Sequence, residues 1–171
     1  FDHNLFTKNT PLSHLALSKR FAKIGSQLLG TSHLRLLFDQ LFQKIVPLPA
    51  PFSIPFAFKD NSSFQGLSLL LFIRITGIGA STSEKNEELG PSQEPAIATL
   101  TTAGSGMFFL PNQLFDIRSY LQQEDDTFLL IGYGNIHTVW KKKEQDPFLP
   151  LTPKRYHNGD RVKDRDCPLL V

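Results

Sequence analysis

The stretch "FAFKDNSSFQGLSLLLFIRI", residues 56–75, decides how the rest of the chain is interpreted. Asp60 lies just ahead of an apolar run from Leu67 to Ile75 that only Ser68 and Arg74 interrupt. A short apolar run of this kind indicates a strand that is buried on both faces in its middle. The sequence therefore predicts a buried strand over residues 64–76, with a polar turn before it that carries one carboxylate.

A helix is predicted near the start of the chain. Thr10-Pro11 supplies a capping hydroxyl followed by proline at the first helical position, and Gly30 is a natural C-terminal stop. Four apolar residues between them recur at helical spacing: Leu17, Phe21, Ile24 and Leu28. We therefore expect an amphipathic helix over about residues 11–29, packed through that apolar face.

The remaining segments favour strands with long connections. Alternation within "HLRLLF" indicates a strand after residue 32, with helix as an alternative, and "TFLLIGYGNIHTVW" indicates one strand, or two broken near Gly132–Gly134. Residues 96–110 read as strand, glycine turn and strand. The proline-rich residues 46–56 and the polar residues 77–96 read as loops, the second long and mobile. This order predicts a mainly β, α+β fold with a sandwich or jelly-roll core.

Composition limits the classes of function. The 171 residues suggest a single domain, and 15 phenylalanines against one methionine and one tryptophan indicate an aromatic core. No apolar run approaches the roughly 20 residues that span a bilayer, and the first residues, which do not begin with methionine, lack the pattern of a signal peptide. The one cysteine, Cys167, excludes an intramolecular disulfide and favours a cytoplasmic setting. We expect no membrane partner.

The last 31 residues are weakly basic. From Lys141 onward the chain has eight Lys or Arg against five Asp or Glu, within a net charge of +2 for the whole chain. A solvated tail explains this excess. The alternative is a patch that contacts phosphate through Lys141, Lys142 and Lys143, as in a nucleic-acid-binding or metal-responsive regulator. Because no helix-turn-helix pattern precedes the three lysines, nucleic acid is an unfavoured partner.

Four segments, in order, carry a resemblance to a known family: "RLLFDQLFQK", "FKDNSSFQGLSLLLFIRI", "GSGMFFLPNQLFDIRSYLQQEDDTFLLIGYG" and "HNGDRVKDRDCPLLV". Together they resemble the Fe(II)/2-oxoglutarate-dependent oxygenases, in particular the phytanoyl-CoA dioxygenase-like branch. The resemblance implies a double-stranded β-helix (jelly-roll, cupin-like) core over about residues 32–171. It also implies where this family's iron ligands would fall.

The family's ligand pattern is degenerate in this chain. Such enzymes hold iron with an H-x-D triplet and a later histidine, and an arginine about ten residues further on binds 2-oxoglutarate. The triplet falls on Phe58, Lys59 and Asp60, and the second histidine falls on Phe115. The arginine falls on Asp126 or Thr127, and Asp126 would repel the carboxylate of 2-oxoglutarate. The resemblance therefore implies no iron, no 2-oxoglutarate and no catalytic residue in the usual positions.

Two alternatives concern the surviving carboxylate. Asp60 with His137, 77 residues later, would form a relocated iron site, in which Lys141–Lys143 would bind the carboxylate of 2-oxoglutarate. Alternatively, Asp60 is a turn former whose side chain caps backbone amides. The other histidines, His3, His14, His33 and His157, are expected at the surface, in loops or in turns.

Other catalytic motifs are not supported. The "GSG" of residues 104–106 lacks the lysine and the helix of a phosphate-binding loop, and no nucleophile elbow occurs. Cys167 is expected to be a structural thiol. Three hypotheses remain: a non-catalytic binding or scaffold protein with a protein partner or a small apolar ligand, an oxygenase with a relocated site, and a basic regulator.

Overall fold

The computed structural model describes residues 2–8, 11–43, 54–76, 100, 102–144, 146 and 156–171. The polar loop predicted over residues 77–96, and most of the proline-rich one, lie outside the described residues. The described elements are β1 (Asp2–His3), α1 (Pro11–Ala16), α2 (Lys19–Leu29), β2 (Arg35–Gln43), β3 (Phe56–Ala57), α3 (Phe58–Asn61), β4 (Phe64–Thr76), β5 (Gly106–Phe109), β6 (Leu114–Phe115) and β7 (Thr127–Trp140).

Two antiparallel sheets organise these elements. The larger sheet has the strand order β1-β2-β7-β4-β5, and β3 pairs with β6 in the smaller sheet. One apolar core lies between the helices and the large sheet, and a second, rich in phenylalanine, lies between the large sheet and the β3–β6 pair. This is the mainly β, helix-flanked jelly-roll architecture that the sequence predicts.

The strand predicted over residues 64–76 is confirmed as β4. Successive side chains of a strand point to opposite faces, and both faces of β4 are covered. Leu70 and Phe72 pack in the phenylalanine-rich core, whereas Leu71 and Ile73 pack toward the helices. The apolar run of the sequence is therefore the signature of an interior strand with a core on each side.

The helical stretch predicted over residues 11–29 contains two helices. The backbone of Ser18 is extended, which ends the first helical segment, and its hydroxyl accepts the backbone N–H of Phe21 to cap α2. Gly30 has a φ of 63° and ends α2, as expected from its freedom to adopt left-handed backbone angles. The predicted stop is therefore confirmed.

The predicted packing face of α2 is wrong in part. Ile24 is 38% exposed and Leu28 is 62% exposed. The residues that α2 buries are small ones, Ala22, Gly25 and Ser26. A Cβ atom at Gly25 would lie 3.0 Å from a methyl group of Leu69, so α2 approaches the sheet closely. The helix therefore packs through small residues that let its backbone come close to the sheet, and not through its large apolar side chains.

The strand near Gly132–Gly134 is continuous, with bulges on both neighbouring strands. The register of β2 against β7 shifts between Leu36 and Phe38, opposite Tyr133 and Gly132, and β4 shifts at the same level. A Cβ atom at Gly132 would overlap the ring of Phe38. Glycine is therefore required there so that an aromatic ring can cross the strand.

Candidate functional site

Phe58, at the first ligand position of the iron-site pattern, is the first residue of α3 and is 1% exposed. Its ring centroid lies 4.8 Å from that of Phe56 and 6.1 Å from that of Phe109. Each of these contacts is between apolar rings. Phe58 is therefore an integral part of the core between the two sheets.

Phe115, at the second histidine position, belongs to the same group of rings. It lies on β6, is 3% exposed, and its centroid is 5.6 Å from that of Phe58. It stacks on Phe109 at 5.2 Å and meets Phe72 edge-on at 5.1 Å. We call this group the aromatic cluster; its members are Phe56, Phe58, Phe72, Phe109, Phe115, Tyr120 and Phe128. The fold thus brings together the two residues onto which the family resemblance places the histidine ligands.

Tyr120 closes one side of the aromatic cluster. Its ring stacks on Phe115 at 5.9 Å and packs edge-on against Phe72 at 5.0 Å. The hydroxyl donates to the sulfur of Met107 at 3.8 Å, and burial raises the pKa of Tyr120 to about 12. A neutral phenol with a thioether partner adds little polarity to this part of the core.

Asp60 does not share the surroundings of Phe58. Residues two apart in an α-helix lie about 200° apart around its axis. The buried ring of Phe58 and the exposed carboxylate of Asp60 therefore leave α3 on opposite sides. In an extended H-x-D triplet the same two positions would face one side. The helical backbone of α3 therefore does not direct the side chains of Phe58 and Asp60 toward one point.

The expectation that the Asp60 side chain caps backbone amides is wrong. In the described part of the chain its carboxylate accepts no backbone hydrogen bond. Other groups hold this turn: Asp146 Oδ2 accepts the backbone N–H of Ser63 at 2.6 Å, and Lys143 Nζ donates to the carbonyl of Asp60 at 2.7 Å. A carboxylate 83 residues further along the chain therefore does the capping.

Asp126, which with Thr127 is one of the two positions onto which the resemblance places the arginine, forms a buried ion pair with Arg74 of β4. Its other carboxylate oxygen accepts the backbone N–H groups of Gln122 and Gln123 at 2.8 and 2.7 Å. Arg74 also donates to the carbonyl of Leu100 at 2.9 Å, and its guanidinium lies 5.1 Å from the centre of the Phe128 ring. Asp126 is therefore neutralised by the protein's own cation.

Sequence reasoning missed Arg74, although a signal was present. A charged residue in the middle of an apolar strand is seldom fully buried unless it is paired. Arg74 interrupts the run from Leu67 to Ile75, and its partner lies 52 residues away. The interruption predicts a buried ion pair but not the identity of the carboxylate.

The residues of the relocated site lie at the surface. His137 on β7 is exposed, and its backbone N–H donates to Asn135 Oδ1 at 2.8 Å. Lys141 and Lys142 are exposed, whereas Lys143 is bound to the carbonyls of α3. Within the described ranges, no group of three or more His, Cys, Asp or Glu side chains is arranged to hold a metal ion.

The other histidines and the cysteine have ordinary surroundings. His3 lies in β1, His14 and His33 are exposed, and exposed His157 lies 3.6 Å from Asp160. Cys167 is buried, as expected for a structural thiol. Its Sγ donates to the carbonyl of Leu37 at 3.7 Å, and burial raises the pKa of the thiol to about 12. A thiol that stays protonated is a poor nucleophile and a poor metal ligand.

Three solved structures that superpose on this chain are of alpha-ketoglutarate enzymes from one biosynthesis. The carbocyclase SnoK from nogalamycin biosynthesis, described as non-heme and alpha-ketoglutarate-dependent, superposes with a TM-score of 0.67 at 15% identity, over 99% of this chain and 75% of that one. One structure of the non-heme alpha-ketoglutarate-dependent epimerase SnoN of the same biosynthesis gives a TM-score of 0.64 at 14% identity. Another, in complex with Fe3+, alpha ketoglutarate and nogalamycin RO, gives 0.63 at 12% identity. Each SnoN comparison covers 99% of this chain and 77% of SnoN.

These likenesses establish the fold. The chain has the jelly-roll, double-stranded β-helix fold of Fe(II)/2-oxoglutarate-dependent enzymes, as the sequence resemblance implied. No protein-family profile matches the chain, and no curated protein matches it in sequence. Among the described residues no helix is long and apolar enough to cross a membrane.

Proposed function

We propose that this chain is a degenerate relative of the phytanoyl-CoA dioxygenase-like oxygenases, a non-catalytic binding or scaffold protein that does not hold iron in the family's manner. One observation carries the proposal: the two histidine positions of the iron-site pattern are Phe58 and Phe115, and both rings are buried within 5.6 Å of each other in the aromatic cluster. Such a protein would act through a surface or a small apolar ligand.

The residues at these positions do not fit an iron ion. A phenyl ring has no lone pair for a metal, and ferrous iron in this family takes nitrogen and oxygen ligands. The stacking of Phe115 on Phe109 and the packing of Phe58 on Phe56 occupy the intervening space with carbon. A divalent cation there would lose its hydration without gaining ligands, at a cost of many kcal/mol.

The third ligand position supports the same conclusion. Asp60 leaves α3 on the side opposite to Phe58, and exposed surroundings keep its carboxylate hydrated. Bringing it toward Phe58 would require α3 to unwind. That rearrangement would break the hydrogen bonds of Ser63 with Asp146 and of Lys143 with the carbonyls of Lys59 and Asp60.

The position of the 2-oxoglutarate arginine is likewise unsuited to the co-substrate. Asp126 carries a negative charge and already satisfies Arg74. Freeing Arg74 for a ligand carboxylate would leave Asp126 buried without its cation, and removing one partner of a buried pair costs about 3–5 kcal/mol. The nearby guanidinium is therefore a structural cation in this proposal.

An anaerobic thermal melt tests the proposal. A ligand that binds only the folded state stabilises it by about 2.7 kcal/mol at a hundredfold excess over its dissociation constant. For a chain of this size that equals about 5–10 °C in Tm. We expect no shift with ferrous iron, 2-oxoglutarate or both. A shift that requires both components would refute the proposal, and its loss in a His137→Ala variant would assign the relocated site.

A further inference from the structure

The outward side of α2 carries a group of exposed residues with a distinctive composition. Six side chains of this helix are exposed: Lys19, Arg20, Lys23, Ile24, Gln27 and Leu28. Three are cations, two are aliphatic and none is acidic. We call this group the α2 face.

Among the described residues, no acidic side chain forms an ion pair with the cations of the α2 face. The chain contains no aspartate or glutamate from residue 3 to residue 38. None of the ion pairs formed within the described ranges includes Lys19, Arg20 or Lys23. The α2 face is therefore a local source of positive potential, although the whole chain carries only +2.

The charges and the aliphatic side chains occupy separate flanks. Residues are about 100° apart around a helix, which sets Lys19 and Lys23 on one flank and Ile24 and Leu28 on the other. Arg20 lies between them. The opposite side of α2 packs on the sheet through small residues, which holds the helix rigidly at the surface.

We propose that the α2 face binds the surface of a bilayer that contains anionic lipid. Cations with exposed aliphatic neighbours on one helix are the pattern by which amphipathic helices lie in a membrane interface. The cations would contact lipid phosphates and carboxylates, and Leu28, which is 62% exposed, would enter the boundary of the acyl chains. Such binding requires no spanning helix, so it departs from the sequence expectation of no membrane partner.

Charge complementarity favours a lipid surface over other polyanions. A nucleic acid would pair with the three cations but would leave Ile24 and Leu28 exposed to water. A bilayer satisfies both flanks at once, because anionic headgroups lie directly above apolar acyl chains. This inference rests on α2 alone and holds whether or not the aromatic cluster accepts a cofactor.

Co-sedimentation with phosphatidylcholine vesicles, with and without phosphatidylserine, tests the inference. We expect binding only with phosphatidylserine, and weaker binding as salt is raised. The Lys19→Gln/Arg20→Gln/Lys23→Gln variant should lose about a hundredfold in affinity, near fivefold per charge. A matched variant, Lys141→Gln/Lys142→Gln/Lys163→Gln, removes the same charge from exposed sites outside α2. Its affinity for the vesicles should fall less than tenfold.

A second substitution separates insertion from simple charge attraction. Leu28→Ser keeps every charge of the α2 face and should weaken vesicle binding several-fold while leaving binding to duplex DNA unchanged. Equal losses in the two triple variants would overturn the proposal, as would no binding to either kind of vesicle. Loss of DNA binding without loss of vesicle binding in the α2 variant would also overturn it. Because all these positions are exposed, thermal melts should give the wild-type Tm for each variant.

Discussion

Replacing Phe115 by histidine introduces the residue type that the sequence resemblance implies for an iron ligand at this position, and we expect it to destabilise the protein. The ring of Phe115 is 3% exposed, stacks on Phe109 with an angle of 4° between ring planes, and also packs against Phe72 and Phe58. An imidazole there buries two polar nitrogens among apolar rings. Unsatisfied burial costs about 1–3 kcal/mol, and the lost aromatic pair adds about 1 kcal/mol.

The expected loss is therefore about 2–4 kcal/mol, or roughly 5–15 °C in Tm for a chain of this length. Urea unfolding and thermal melts measure it. Leu114→His is the matched control: it lies beside Phe115 on the same strand, is 70% exposed, and should change stability by about 0.5 kcal/mol or less.

The pH dependence of the Phe115→His variant gives a second test of the surroundings. Burial among apolar rings disfavours the imidazolium ion, so the folded-state pKa should fall below the unfolded value of about 6.5. Below that pH the unfolded state then binds more protons than the folded state. The free energy of unfolding of the variant, relative to wild type, should therefore fall by up to about 1.4 kcal/mol for each unit by which the pH is lowered. If Phe115→His were as stable as wild type, or if ferrous iron raised its Tm, the conclusion that Phe115 lies in a closed, apolar part of the core would be wrong.

Three further predictions follow from the packing. Arg74→Met should lower the free energy of unfolding in urea by about 3–5 kcal/mol, because it leaves the buried carboxylate of Asp126 unpaired. Adding Asp126→Leu should recover part of this loss, and additive losses in the double variant would contradict the reasoning. Gly132→Ala should lower the free energy of unfolding in urea by about 1–3 kcal/mol, because the added methyl group forces the ring of Phe38 aside. Phe38→Leu in that background should recover part of the loss in the same assay. Cys167 should react with a thiol reagent only after denaturation, since burial raises its pKa to about 12; rapid labelling of the native protein would show the thiol to be accessible.

One interior strand of the large sheet could be predicted from the sequence because most of its residues are apolar. The run from Leu67 to Ile75 leaves a strand with two covered faces as the natural interpretation, and β4 confirms it. The proximity of Phe58 and Phe115 could also be anticipated, because the sequence resemblance places both at ligand positions of one site, and their ring centroids lie 5.6 Å apart.

The remaining features depend on contacts that local sequence does not encode. Periodicity assigned Leu28 to the packing face of the helix, but a close approach at Gly25 turned that residue to the surface. The capping partner of Ser63 lies 83 residues away, at Asp146, so the residues around α3 do not identify it. Both the packing face of α2 and the long-range pairing of polar groups depend on contacts that the local sequence does not specify.

The most direct test of the central claim is the amount of metal that the protein holds. Equilibrium dialysis under anaerobic conditions against ferrous iron, with 2-oxoglutarate in excess and elemental analysis of the protein, measures this ratio. A degenerate site that contains Phe58 and Phe115 in place of two ligands predicts a ratio close to zero, unchanged by 2-oxoglutarate. One iron per chain that depends on 2-oxoglutarate would contradict the account and would show that the chain binds the metal and co-substrate of its structural relatives.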